Sequence, residues 1–267
     1  MAMVDPHNIL LDHVVLLVPY RAILEPPGWI VDNFVVGAGS RHADGKTINR
    51  LILFKDGTYL ELIASINDDP VKAAGHGWDK DFGVVDIALT TRGAFDHKIL
   101  QERLRQTGTD ISYADPVDGG RTPPDGPDLK WKVTFPQGIE RGAVPFWCHD
   151  VTPRERRVRG TEGNTKHPCG AMGVAGIFVE IGKADCDRAQ AALAVIVGKE
   201  GNSSNFEMGT PYDIGMIDRP NIRLRKSLLD NKEQLRLRLV LYNPRTPTPP
   251  SIEQRIGSGM VSIRFEP

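Results

Sequence analysis

Apolar residues along the chain gather in short runs of strand length, and helical spacing interrupts them at only a few places. Leu11 to Val18 (LDHVVLLV) is rich in β-branched residues and stops at Pro19, as a buried strand does. Trp29 to Val36 has strand character after a Pro-rich segment, and Gly37, Gly39 and Gly45 then mark a loop. Thr47 to Phe54 (TINRLILF) and Thr58 to Ala64 (TYLELIA) predict two strands joined by Lys55-Asp56-Gly57, where Asp-Gly favours a hairpin turn. The order recurs from Val84 to Thr90 (VVDIALT): Phe95, Ile99, Leu100 and Leu104 predict a helix stopped by Gly108. Strands are predicted after it near Ile111 to Tyr113, Leu129 to Phe135 and Val144 to His149. The Pro- and Gly-rich stretch Asp115 to Asp128 is long for a loop in a compact domain and marks a functional candidate. A third round starts at Ala175 to Ile181, continues with an alanine-rich helix over Asp187 to Val197, and adds strands at Asn221 to Leu228, Leu235 to Tyr242 and Met260 to Phe265.

This recurrence of strand, helix and strands predicts an α+β protein built by duplication of a module. Residues 8–152 form paired modules (8–68 and 82–152), 153–169 a linker, and 170–267 a third, partial or degenerate module. The odd module is expected either to cover the first pair or to mediate a homodimer. Arg154, Arg156, Arg157 and Arg159 in the linker read as a solvated basic loop, with contact to an anionic substrate or partner as the alternative.

Charge narrows the function classes. Thirty-three Lys plus Arg against 34 Asp plus Glu, with no basic block, argue against a nucleic-acid partner. Cys148, Cys169 and Cys186 form no CxxC pair, which points away from a disulfide framework or zinc ribbon and toward reduced thiols in the cytoplasm. No apolar run reaches transmembrane length, and Asp5-Pro6-His7 stands where a signal peptide needs an apolar core, so no membrane partner is expected.

Alternation in the first strand places His13 in a row with Leu11, Val15 and Leu17, and in the strand before Ala64 it places Glu61 with Tyr59 and Ile63. A buried unpaired carboxylate costs roughly several kcal/mol, so Glu61 requires a cation, a donor or a shifted pKa. Imidazole and carboxylate suit zinc, iron, nickel or manganese. A hydrogen-bonded core histidine, and a buried pair of Glu61 with Arg50 or Arg121, are the alternatives. Laying the second unit on the first (LDHVVLLV on VVDIALTT) sets Asp86 opposite His13, and FWCHD sets His149 near Glu61. A one-residue slip at Cys148/His149 would exchange their faces.

LDHVVLLV, GSRHADGKTINRLILF, TYLELIA, GGRTPPDGPDLKWKVTFP, VPFWCHD and KHPCGAMGV, in this order over roughly residues 10 to 180, resemble the glyoxalase-like domain family of the vicinal oxygen chelate superfamily. The resemblance implies βαβββ modules forming a curved mixed sheet around a small-molecule pocket, and often a divalent ion held by first- and last-strand residues of paired modules. His13 and Glu61 match those positions in module one, and His149 stands where a carboxylate is expected, giving a metal set of His13, Glu61 and His149. Asp86 replaces a second-module histidine. His42, Asn49, Arg121, Trp131 and His167 fall in characteristic segments, as substrate-binding or, for Arg121, catalytic candidates. The implied activity is proton transfer, isomerisation, cyclisation or lyase chemistry on an oxygenated metabolite. In a metal-dependent version the ion polarises vicinal oxygens; in a metal-free one Arg121, His13 and Asn49 stabilise an enolate, with Glu61 or His149 as base. Sequestration of a hydrophobic molecule, which Trp29, Trp78, Trp131 and Trp147 would suit, and an iron-dependent extradiol-type dioxygenase are the competing readings.

Overall fold

The computed structural model describes residues 8–69, 80–123, 126–198, 203–215, 219–227, 235–245 and 251–267. β1 (Ile9–Leu17) is buried along its whole length, with a strand on each edge and side chains packed on both faces. That setting explains a nearly continuous apolar run in place of a polar alternation. β2 (Ser40–Arg41), β3 (Thr47–Leu53) and β4 (Tyr59–Ser65) complete the first module: β1 and β4 are parallel neighbours, and β3 and β2 follow antiparallel. Asp56-Gly57 makes the expected turn between β3 and β4, with Gly57 at φ 80°. Trp29 to Val36 is not a strand; it begins in a short helix, Gly28–Val31, entered through Pro26-Pro27.

β5 (Gly83–Thr91), β6 (Ser112–Tyr113), β7 (Val117–Arg121), β8 (Leu129–Thr134), β9 (Pro136–Gln137) and β10 (Phe146–Asp150) build the second module. Its helix, His97–Arg105, is capped by the Asp96 side chain, which accepts from Ile99 N at 3.0 Å. β5 pairs with β10 in parallel, and β8 and β7 follow antiparallel, the strand order of module one. β7 lies inside the stretch expected as loop: Val-Asp-Gly-Gly-Arg carries no apolar run, and its ladder to β8 alone makes it a strand. β1 and β5 run antiparallel between the modules. The outer edges of the curved sheet meet where His42 bridges Arg121 and Ala43 N donates to Gly120 O at 2.9 Å, so the sheet closes round its concave face.

Beyond residue 170 lie β11 (Gly173–Ile181), β12 (Asn205–Glu207), β13 (Asn221–Lys226), β14 (Arg236–Tyr242), β15 (Ser251–Ile256) and β16 (Gly259–Glu266). β11 pairs in parallel with β13 and antiparallel with β14, and β14 pairs in parallel with β16. These relations repeat β1 with β4, β1 with β5, and β5 with β10. The region therefore holds two shortened modules where a single third one is expected: β14 opens a fourth unit instead of closing the third. Among the described residues no helix separates β14 from β15, so the repeat was hidden from a search for strand-helix-strand order. The helix Lys183–Val197 covers the third unit and ends at Gly198 in the left-handed region.

The β3–β4 turn docks on this second half: Tyr212 N donates to Asp56 O at 2.9 Å and Asp56 N to Met172 O at 3.3 Å. Burial raises the Asp56 pKa to about 7, against hydrogen bonds from Thr58 N and Oγ1. The folded protein thus binds this proton more tightly than the unfolded chain, and stability falls as pH rises from about 4 to about 7. Asp56→Asn keeps the Oδ1 acceptor without the charge. It is expected to raise the melting temperature at pH 8 by roughly 5 °C or more, with the gain shrinking toward pH 4 in a calorimetric series; a gain independent of pH would reject ionisation as its cause.

Candidate active site

The concave face of the paired modules encloses a cavity of about 770 Å³. Module one lines it with His13, His42, Asn49, Leu51, Tyr59 and Glu61, module two with Arg121, Trp131, Val133, Phe135, Phe146 and Cys148, and the segment after β10 adds Arg157. The volume suits a small organic molecule, and its walls are mostly apolar with a few converging polar groups.

A bulge in β1 organises the polar end. The pairing with β5 shifts between Leu11 and His13, so Asp12 is the extra residue. Leu11 consequently packs with Val14 and Leu16 in the core on the helical side, while His13, Val15 and Leu17 face the cavity side. A bulge also lets consecutive side chains approach each other, and the His13 Nδ1 lies 2.9 Å from Asp12 Oδ2. On its other edge, His13 Nε2 is 3.5 Å from Glu61 Oε2, and the ring stacks on Tyr59 at 4.5 Å. Desolvation pulls the imidazole pKa down, but hydrogen bonds to Asp12 and Glu61 outweigh it and hold the ring above its ordinary value. The reciprocal holds for Glu61: burial pushes its pKa up, the hydrogen bonds and charges of His13 and then His42 outweigh that, and the carboxyl stands well below the usual range. The two form an imidazolium–carboxylate pair, His13 being 3% and Glu61 8% exposed.

Asn49 ties this pair to module two. Its Nδ2 donates to Glu61 Oε1 at 2.6 Å and lies 3.1 Å from His42 Nε2, while its Oδ1 accepts from Ser40 Oγ (3.2 Å) and Arg121 Nη1 (3.4 Å). His42 Nε2 also lies 3.5 Å from Glu61 Oε1, and its Nδ1 lies 2.6 Å from Thr47 Oγ1. His42 packs edge-on to Trp131.

Asp12, Arg154 and Arg157 join this network, and periodicity did not single them out. Arg157 Nη2 donates to both Asp12 oxygens (3.2 and 3.1 Å) and to Asp150 Oδ2 (2.9 Å), and its Nη1 donates to Tyr59 Oη. Arg154 Nη1 donates to Asp12 Oδ1 and Nη2 to Gly57 O (2.8 Å). Burial raises the Asp12 pKa, and the two guanidinium charges outweigh it and hold the carboxyl well below its usual range. The basic stretch is therefore no solvated loop: Arg154–Arg157 is a short helix that drives two of its arginines inward, and only Arg156 and Arg159 are exposed. Asp12-His13 in a buried strand, read together with the arginine-rich stretch after β10, was the available signal.

Other expected residues lie elsewhere. His149 stacks on Phe95 and Trp147 (4.4 and 5.6 Å between centroids) away from the cavity lining, and desolvation lowers its pKa to about 4. The residue of β10 that lines the cavity is Cys148. Asp86 pairs in register with Val15, because the antiparallel β1–β5 ladder sets Ala88 opposite His13, and its buried carboxylate accepts from Arg141 Nε at 3.0 Å. His167 accepts from Val35 N at 3.1 Å through Nδ1 and lies 2.9 Å from Leu53 O through Nε2, pinning module one from outside the cavity. Arg50 donates to Ile23 O at 2.6 Å, so it is no partner of Glu61. Trp131 lines the cavity, Trp29 and Trp147 belong to the helical-side core, and Trp78 lies outside the described residues.

The metal set of His13, Glu61 and His149 is not brought together. In register, Ala88 is the module-two counterpart of His13 and Cys148 that of Glu61, since His13 pairs with Tyr59 two residues before Glu61 and Ala88 with Phe146 two before Cys148. Ala88 offers no donor, and burial pushes the Cys148 thiol up. Among the described residues, one group of three His, Cys, Asp or Glu donor atoms lies mutually within 4.8 Å, namely Asp12, His13 and Cys148. Asp12 there is committed to two arginines and to His13 Nδ1. The donor set does not fit a divalent ion.

A model of the glyoxalase-like domain matches residues 11–197. Among solved structures, the chain is similar to a hypothetical protein from Staphylococcus aureus at 13% identity, with 97% of this chain and 100% of that one covered and a TM-score of 0.61. It is also similar to a mutant 4-hydroxymandelate synthase from Streptomyces coelicolor (11% identity, 97% and 92% covered, TM-score 0.45) and to methylmalonyl-CoA epimerase from Mycobacterium tuberculosis (16%, 58% and 97%, 0.38). A search of curated proteins gives no match. At these identities the solved structures speak to fold.

Proposed function

The chain belongs to the glyoxalase-like domain family, a branch of the vicinal oxygen chelate superfamily whose members include isomerases, lyases and dioxygenases, and from that premise we propose a metal-free enzyme of isomerase or lyase type that moves a proton on a small oxygenated molecule. The observation that carries this reading is the buried His13–Glu61 pair on the cavity wall. Glu61, a carboxylate held by Asn49, takes a proton from a carbon next to a carbonyl, and the electron pair of that C–H bond moves onto the carbonyl oxygen. The developing oxyanion meets the Nε2–H of His13, whose 3.5 Å separation from Glu61 leaves that donor loosely engaged. Asp12 holds the opposite ring edge and so orients the imidazolium. Return of the proton to another carbon completes an isomerisation, and loss of a neighbouring group completes an elimination.

The test is solvent-deuterium incorporation into a panel of enolisable 2-oxo acids and hydroxyketones, followed by proton NMR. Enzyme-dependent exchange that persists in EDTA and o-phenanthroline, on protein with far less than stoichiometric metal, is expected. Activity lost to chelators and restored by a divalent ion would defeat the metal-free mechanism.

A further inference from the structure

We propose that Arg121 anchors a carboxylate on the substrate, so that the cavity selects apolar carboxylic acids whose reacting carbon lies close to the acid group; this rests on the proton-transfer reading of the same cavity.

Among the described residues, the charged groups buried at the polar end of the cavity pair off, except one; Asp118, Asp128, Lys130 and Lys132 line its exposed rim. Asp12 and Asp150 are held by Arg154 and Arg157, and Glu61 by His13. Arg121, 9% exposed, donates only to neutral oxygens: Nη1 to Ser40 Oγ (3.1 Å) and Asn49 Oδ1 (3.4 Å), and Nη2 to Arg157 O (3.2 Å). Its Nε is buried without a partner, and no carboxylate of the described residues ion-pairs with it. A guanidinium stays charged at physiological pH, and a desolvated cation without a counter-ion is costly. With the His13 ring protonated, His13, Arg121, Arg154 and Arg157 stand against Asp12, Glu61 and Asp150, and one added negative charge balances these seven groups.

The geometry favours a planar acid. The three hydrogen bonds, all to neutral oxygens, leave part of the guanidinium's donor capacity unused, and a planar carboxylate is the anion that a guanidinium fork binds best. Leu51, Trp131, Val133, Phe135 and Phe146 supply apolar walls, which suit a hydrocarbon or aromatic body. Arg121 and Glu61 share Asn49 as a common partner, so an acid bound to the first places its neighbouring carbons beside the second.

Isothermal titration calorimetry with 3-phenylpropanoate, 3-phenylpropanamide and phenylphosphonate tests this on wild type, Arg121→Gln, Arg121→Lys and Glu61→Gln. The acid is expected to bind wild type at least about tenfold more tightly than the amide. Arg121→Gln is expected to erase that preference, and Glu61→Gln to retain it. If Arg121→Gln does not fold, Arg121→Lys decides, because it keeps the charge and loses the fork: a several-fold loss of acid affinity is expected. Equal binding of acid and amide, preference for the phosphonate, no acid binding at millimolar concentration, or unchanged acid affinity in the arginine variants would each overturn the proposal. Acid preference without deuterium exchange would leave the anion site standing and remove proton transfer; exchange without acid preference would do the reverse.

Discussion

Glu61→Gln is expected to lower turnover by a factor of about 10³, within the range of general-base deletions, in a protein that still folds. Glutamine keeps an acceptor for Asn49 Nδ2 and fills nearly the same volume, while the proton acceptor is gone. His13 keeps Asp12 at Nδ1, so its ring stays oriented. The same variant reports on coupling within the pair. Because the folded pKa of His13 stands above its unfolded value, protonating it adds stability that is complete below about pH 6.5 and is lost as pH rises through the folded pKa. Removing Glu61 takes away one of the two carboxylates that hold it there, so the fall in melting temperature should be smaller and end at lower pH in Glu61→Gln than in wild type. Turnover within threefold of wild type on a substrate found by deuterium exchange would sink Glu61 as base. An unmoved stability profile would instead show that the two side chains do not share a proton network.

The strands and the His13–Glu61 face were legible because burial on both faces of β1 and β4 forces apolar runs, and a charged group inside such a run has few explanations. Register was not legible. One extra residue at Asp12 turns Leu11 away from His13, and the antiparallel ladder beyond it sets Ala88, not Asp86, opposite the histidine. His149 and Cys148 differ by one position, and in a strand of period two that choice exchanges a cavity wall for an aromatic stack. The fourth module escaped for a different reason. The helix after its first strand is what marks a module in the sequence, and β14 is followed by none among the described residues, so pairing with β11 is what identifies it. Arg121 illustrates the middle case: two glycines before it suggest close backbone approach, yet only the meeting of β7 with the His42 strand places it beside Asn49.

Arg157→Ala should be the most damaging substitution for stability, because it removes one side of a network in which Asp12 is fully buried. Breaking a buried pair by deleting one partner costs about 3–5 kcal/mol, mostly because the remaining charge is stranded, and in a chain of this length that amounts to a melting-temperature drop of roughly 10 °C. Arg157 also donates to Asp150 and Tyr59, the ring against which His13 stacks, so the loss reaches the catalytic pair. A double-mutant cycle with Asp12→Asn separates these contributions. If stranding dominates, Asp12→Asn on the Arg157→Ala background should cost much less than on wild type, with a coupling above about 1 kcal/mol. Strict additivity would mean that Arg154 alone neutralises Asp12 and that Arg157 acts through packing. The two arginines lie 142 and 145 positions from Asp12 in sequence, so the segment after β10 must close over the first strand before His13 acquires its charge. On this reading, folding of the crossing segment and assembly of the acid–base pair are one event, and variants that loosen the segment lose turnover and stability together.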